Sequence, residues 1–108
     1  MLKSKAENYI GFCIRAGKLT YGFNAIEQQK KDVFLLLLCN SASDNAKKSA
    51  LKLKNKFSCD ILILRGKTLE EIVGRENCKL AAVRDRNLAK AILSATDENI
   101  SLYSGGNI

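Results

Sequence analysis

Val33-Phe34-Leu35-Leu36-Leu37-Leu38-Cys39 is an unbroken apolar run with no polar residue at any alternate position. A strand with one wet face alternates apolar and polar residues, because successive side chains point to opposite sides. A continuous run instead describes a strand covered on both faces, which requires a helical layer on each side of its sheet. Two shorter runs of the same kind follow, Ile61-Leu62-Ile63-Leu64 and Leu80-Ala81-Ala82-Val83. Helical patterns separate all three, and Leu19 to Tyr21 has the length of a minor edge strand. Strands alternating with helices predict a single-domain α/β fold, a three-layer α/β/α sandwich around a mixed, largely parallel sheet of about four strands.

Downstream of the long run, Ser41-Ala42-Ser43-Asp44 offers helix-capping side chains. Ala46, Ala50, Leu53 and Phe57 then keep one helical face apolar, while Lys48, Lys52 and Lys56 recur four apart on another. Thr68-Leu69-Glu70-Glu71 has the form of a capping box, and Gly74 closes a helix of barely two turns. Asp85 is placed to cap a last helix in which Leu88, Ala91, Ile92 and Ala95 face inward. Beyond Thr96 the periodicity fades, so residues 1–98 are expected to form the domain and 99–108 a flexible tail.

Upstream, Ala6, Tyr9, Ile10, Cys13 and Ile14 fall at helical spacing between Ser4 and Ala16. Gly17 suits the left-handed residue that follows a helix. Gly22 stands where a second helix, from about Phe23 to Gln29, begins. A helix start presents unpaired N–H groups and attracts anions, and Lys18, Asn24 and Gln28 stand nearby to extend that polar reach.

The chain has 108 residues, a formal net charge of +7 and no histidine. A small basic domain of this kind suits a polyanionic partner, since neutralising phosphates releases counterions. No apolar run is long enough to span a bilayer, and residues 1–8 lack the apolar core of a secretory signal, so a cytoplasmic location and no membrane are expected. Cys13, Cys39, Cys59 and Cys78 form no C-x-x-C pair, and Cys13 and Cys39 lie in apolar runs. Buried free thiols are expected for those two, with no metal site and no cofactor. No histidine base, nucleophile elbow or phosphate-binding glycine loop is present, and the chain does not read as an enzyme.

Three fragments, in this order, carry a family resemblance: Gly17-Lys18-Leu19 with Gly22-Phe23-Asn24, then Ser41 to Lys48, then Leu80 to Asp85 running into Asn87 to Leu93. Together they resemble the ribosomal protein family of L-seven-Ae and L-thirty-e, in particular its short bacterial ribosomal-protein-like members. The resemblance covers nearly the whole chain and implies an α/β/α protein that binds kink-turn or related structured RNA, such as ribosomal RNA, with the ribosome among its expected partners.

In that family the second helix opens with Gly-x-Asn-Glu, with a lysine three residues on, and the loop before the last strand packs on a flipped nucleotide. The residues implied as RNA-binding are Lys18, Gly22, Phe23, Asn24, Gln28, Asn77, Cys78 and Lys79. The chain departs from the motif at Ala25, where the glutamate would stand, and at Gln28, where the lysine would stand. Asn40 and Ser41 replace an acidic pair. The alternative expectation is a protein-interaction module of the same fold that has lost specific RNA recognition.

Overall fold

The leucine run becomes the middle of a sheet. The structure, a computed structural model, describes residues 5–65, 69–75, 78–96 and 99–103. In chain order the elements are α1 (Lys5–Arg15), β1 (Leu19–Tyr21), α2 (Phe23–Glu27), β2 (Leu35–Cys39), α3 (Asp44–Phe57), β3 (Asp60–Leu64), α4 (Leu69–Val73), β4 (Leu80–Val83), α5 (Arg86–Ser94) and β5 (Ile100–Leu102). The strands form one sheet in the order β1-β4-β2-β3-β5.

Every residue of β2 has zero exposure. Leu35, Leu37 and Cys39 face a layer built from α1, α4 and α5, where Ile10, Leu69 and Ile92 are buried. Leu36 and Leu38 face the opposite layer, α2 and α3, and meet Ile26, Ala50 and Leu53. Burying one such leucine is worth about 1.5–3 kcal/mol, so the strand holds both layers to the sheet. The three-layer sandwich expected from the sequence is the one observed.

Two expectations about the sheet are corrected. It has five strands rather than about four, and it is not largely parallel: only β2 and β3 run parallel, while β1–β4, β2–β4 and β3–β5 are antiparallel. The 14-residue α3 carries the chain back along the sheet, as a parallel crossover requires. The five-residue α4 advances only about 7.5 Å. The chain re-enters at the end where β3 finished, and β4 runs the other way. A strand covered on both faces reads as continuously apolar in either direction.

The helix ends follow the expected chemistry. Lys18 N–H reaches Cys13 carbonyl at 2.8 Å and Gly17 N–H reaches Ile14 carbonyl at 3.1 Å, with Gly17 at φ +68°, which is a Schellman ending. Ser43 accepts from the Ala46 N–H and Asp85 from the Leu88 N–H. In α5 the buried residues are Ala89 and Ile92, with Leu88 and Ala95 only packed at the edge of the core. Thr68, expected in a capping box, lies outside the described residues.

The expected tail is also corrected. Ile100–Leu102 pair with β3, Arg65 N–H donates to the Asn99 carbonyl at 2.7 Å, and Ile100 is buried. Three residues are too few to show a period, and the exposed edge of β3 supplied the order. Residues 104–108 lie outside the described part. No helix among the described residues is long and apolar enough to cross a membrane.

All four cysteines are free and buried. Burial first, and then the Asp85 carboxylate, push the Cys13 thiol up to about 11; burial and Asp60 do the same for Cys59. An unfolded thiol releases its proton near pH 9, so between about pH 9 and 11 the native chain holds protons that the unfolded chain has lost. Stability is therefore expected to fall as pH rises through that window and to be unaffected by these groups below it. Urea melts at pH 8 and 10.5 should show this loss, and a Cys59→Ala variant should show a shallower one.

Gly22 sits at φ +86°, ψ 154°, a region only glycine occupies comfortably, and a methyl there would meet nothing within 4 Å. Gly22→Ala is expected to cost about 1–3 kcal/mol through backbone strain alone, read as a lowered urea midpoint with an unchanged circular dichroism spectrum.

Candidate nucleic-acid interface

β2 and β3 finish at the end of the sheet where β4 begins, and β1 runs out there into Gly22. Gly22 N–H donates to the Leu80 carbonyl at 2.9 Å. This bond ties the start of α2 to the segment that enters β4, although the two are far apart in sequence. Two of the regions expected to touch RNA are thereby adjacent.

At this end several exposed groups are polar, beside the exposed Ala25. Asn24 is exposed, and among the described residues its side chain has no hydrogen-bond partner. It does not cap its own helix: Gly22 is the N-cap residue and supplies no side chain. Gln28, one turn further on, is exposed as well. Phe23 is half-buried and packs against the core between the sheet and α3, so its ring anchors the helix and is not presented outward.

A short network lies beside them. Lys79 Nζ donates to Glu70 Oε1 at 2.9 Å and to Ser41 Oγ at 2.9 Å, and Ser41 Oγ lies 3.1 Å from Cys39 Sγ. The bond to Glu70 holds the Lys79 ammonium above its ordinary range. Burial acts to raise the Cys39 thiol, but hydrogen bonds from Ser41 and from the Leu69 backbone, with the Lys79 charge, outweigh it and bring the thiol below its usual value. Lys79 is thus an oriented cation already shared with a carboxylate.

Other expected residues are placed differently. Cys78 is buried and donates to the Leu80 carbonyl at 3.6 Å; burial pushes its thiol up, and it does not reach the surface where a nucleotide would sit. Lys18 is exposed but lies at the opposite end of the sheet, since β1 runs between it and Gly22, a span of about 13 Å at 3.3 Å per residue. Its carbonyl accepts from the Arg84 N–H at 2.8 Å. Lys18 therefore stands apart from Asn24 and Lys79. Asn77 lies outside the described residues.

The anion-attracting helix start also changes in weight. α2 has five residues, and the Gly22 N–H is already used. So short a helix has little dipole, and exposed side chains, rather than the helix end, offer the contacts at this edge. One residue not singled out from the sequence joins them: Arg75, whose guanidinium lies 4.0 Å from the centre of the Tyr21 ring, next to Gly22. Arg75 follows Gly74 at the end of α4, and only the packing of α4 beside β1 brings it to this rim. Among the described residues no group of three or more histidine, cysteine, aspartate or glutamate side chains is arranged to hold a metal ion.

No family model matches the chain, and no curated protein matches it. Among solved structures, a protein of unknown function from Bacillus halodurans is similar, with a TM-score of 0.72 at 18% identity over 86% of this chain and 97% of that one. At that identity the likeness extends to the fold alone.

Proposed function

We propose that this chain is a cytoplasmic RNA-binding protein, similar to the ribosomal-protein-like kink-turn binders, which binds structured RNA and does not catalyse a reaction. The observation that carries the reading is the meeting of Gly22–Asn24 with the Lys79–Leu80 segment through the 2.9 Å Gly22–Leu80 bond, with the Asn24 amide exposed and unpartnered among the described residues. The net charge of +7 supports a polyanionic partner.

In this reading Asn24 and Gln28 offer amide donors and acceptors to base edges, which sets specificity. Arg75 supplies charge at the rim. Lys79 contributes less than an unpaired lysine would, because a phosphate must compete with Glu70. Gly22 keeps the backbone free of a side chain where RNA would approach, and Phe23 and Cys78 support the edge from the core side.

A second reading, a protein-interaction module of the same fold, is favoured by exposed Ala25, which stands where the resemblance would place a base-reading glutamate. Ionic strength separates the two. Affinity for RNA falls steeply as salt rises, whereas an apolar protein interface changes little.

Binding to a kink-turn RNA is expected to exceed binding to the same strands with the sheared G·A pairs disrupted. Asn24→Ala is expected to weaken the kink-turn complex by about 1–3 kcal/mol, the cost of losing a buried base contact. Gel-shift titrations of both RNAs with both proteins check this. Unchanged affinity in the mutant removes Asn24 from the site, and equal affinity for the two RNAs sinks kink-turn recognition.

A further inference from the structure

The charge of the molecule is concentrated on one of its helical layers. Between Glu27 and Ser58 the chain carries seven lysines and three carboxylates, a surplus of four out of the net seven. These residues belong to the α2–α3 side, and on α3 Lys48, Lys52 and Lys56 are exposed one turn apart. The opposite layer is closer to balance: Lys5 and Arg15 on α1 and Arg86 and Lys90 on α5 are set against Glu7, Glu70 and Glu71.

Two clefts of about 410 Å³ each open on the lysine-rich side. One lies between α2 and α3 and is lined by Glu27, Ser49, Lys52, Leu53 and Lys56. The other is lined by Lys56, Phe57, Lys30, Lys31 and Phe34, with one carboxylate, Asp32, among them. Lys56 belongs to both, and it is held in place: Nζ donates to the Glu27 carbonyl at 2.6 Å and lies 5.1 Å from the centre of the Phe57 ring. Joined at Lys56, the clefts form a groove that begins beside α2 and brings Lys52, Lys56, Lys30 and Lys31 together, with Phe57 and Phe34 along its second half.

We infer that this groove carries the sugar–phosphate backbone of an RNA strand leading away from the α2 edge, with Lys30, Lys31, Lys52 and Lys56 on the phosphates. The inference rests on the RNA-binding reading above and deepens it. The edge residues read the folded RNA, whereas the groove supplies sequence-independent affinity. A row of cations beside half-buried rings suits a backbone that a strand can follow.

The test is a salt titration with two RNAs, a minimal kink-turn and the same element with a stem extended on one side. The variant carries Lys30→Gln, Lys31→Gln, Lys52→Gln and Lys56→Gln, and a control carries Arg15→Gln and Lys90→Gln on the other layer. For the extended RNA the variant is expected to lose affinity about 10–100-fold near physiological salt, and its slope of log K against log salt to flatten by about 3. The control should flatten little, and the preference for the kink over its disrupted form should survive in the variant. The corresponding Lys→Arg variant should restore binding, which separates lost charge from misfolding.

A wild-type slope retained in the glutamine variant overturns the groove assignment while leaving the edge site intact. Losses in variant and control that are equal per charge removed overturn it too, as they would reflect net charge alone. If binding to phosphatidylserine vesicles depends on these lysines and RNA binding does not, the groove belongs to a membrane surface and the inference fails. Wild-type protein that binds neither RNA overturns the reading beneath it as well.

Discussion

The enclosure of β2 on both faces is the constraint that orders everything else. A five-residue strand with no accessible surface cannot exist at the edge of a sheet or beneath one layer of helices. It must lie between neighbours, and β4 and β3 flank it. Its odd-numbered residues then need one apolar partner layer and its even-numbered residues another. α1, α4 and α5 meet the first requirement, and α2 and α3 the second. Removing either layer would expose two or three large apolar side chains of β2, a loss of several kcal/mol against a total stability of about 5–15 kcal/mol.

Because the centre is sealed in this way, chemistry is confined to the ends of the strands and the outer faces of the helices. The end at which β2 and β3 finish and β4 begins gathers Gly22, Asn24, Ser41, Glu70, Arg75 and Lys79. The opposite end gathers Lys18, Arg84 and Arg86, with Arg84 donating to the Gly17 carbonyl and Arg86 lying over Phe34. A strand of three residues, β1, keeps the two groups apart. This separation is why Lys18 and Asn24, four and two residues from Gly22 on its opposite sides, do not share a surface.

Both helical layers pack on the sheet, but they differ in charge. α3 is the longest helix, and a helix resting one face on the sheet leaves the rest in water. Its lysines occupy that wetted side, with their apolar stems able to cover neighbouring surface while the ammonium groups remain solvated. In α4 the outward positions are instead Glu70 and Glu71, in the first turn where the helix dipole favours carboxylates. The imbalance gives the molecule a basic side without cost to the core.

Much of this was legible in the residues themselves. Val33 to Cys39 announced a doubly covered strand, Gly17 a helix end, Asp85 a helix cap, and the lysines of α3 a charged face, because each depends on spacing or on one residue's local preference. The brevity of α4 was readable too, but the direction of β4 was not, because a covered strand looks the same whichever way it runs. What only the tertiary structure decided is adjacency: that Ile100–Leu102 complete the sheet on the edge of β3, that Cys78 turns inward, that Arg75 reaches Tyr21, and that Gly22 meets Leu80 while Lys18 does not. Local sequence sets which face of an element is apolar. Which elements meet is set by how those faces can all be buried at once, and that is a property of the whole chain.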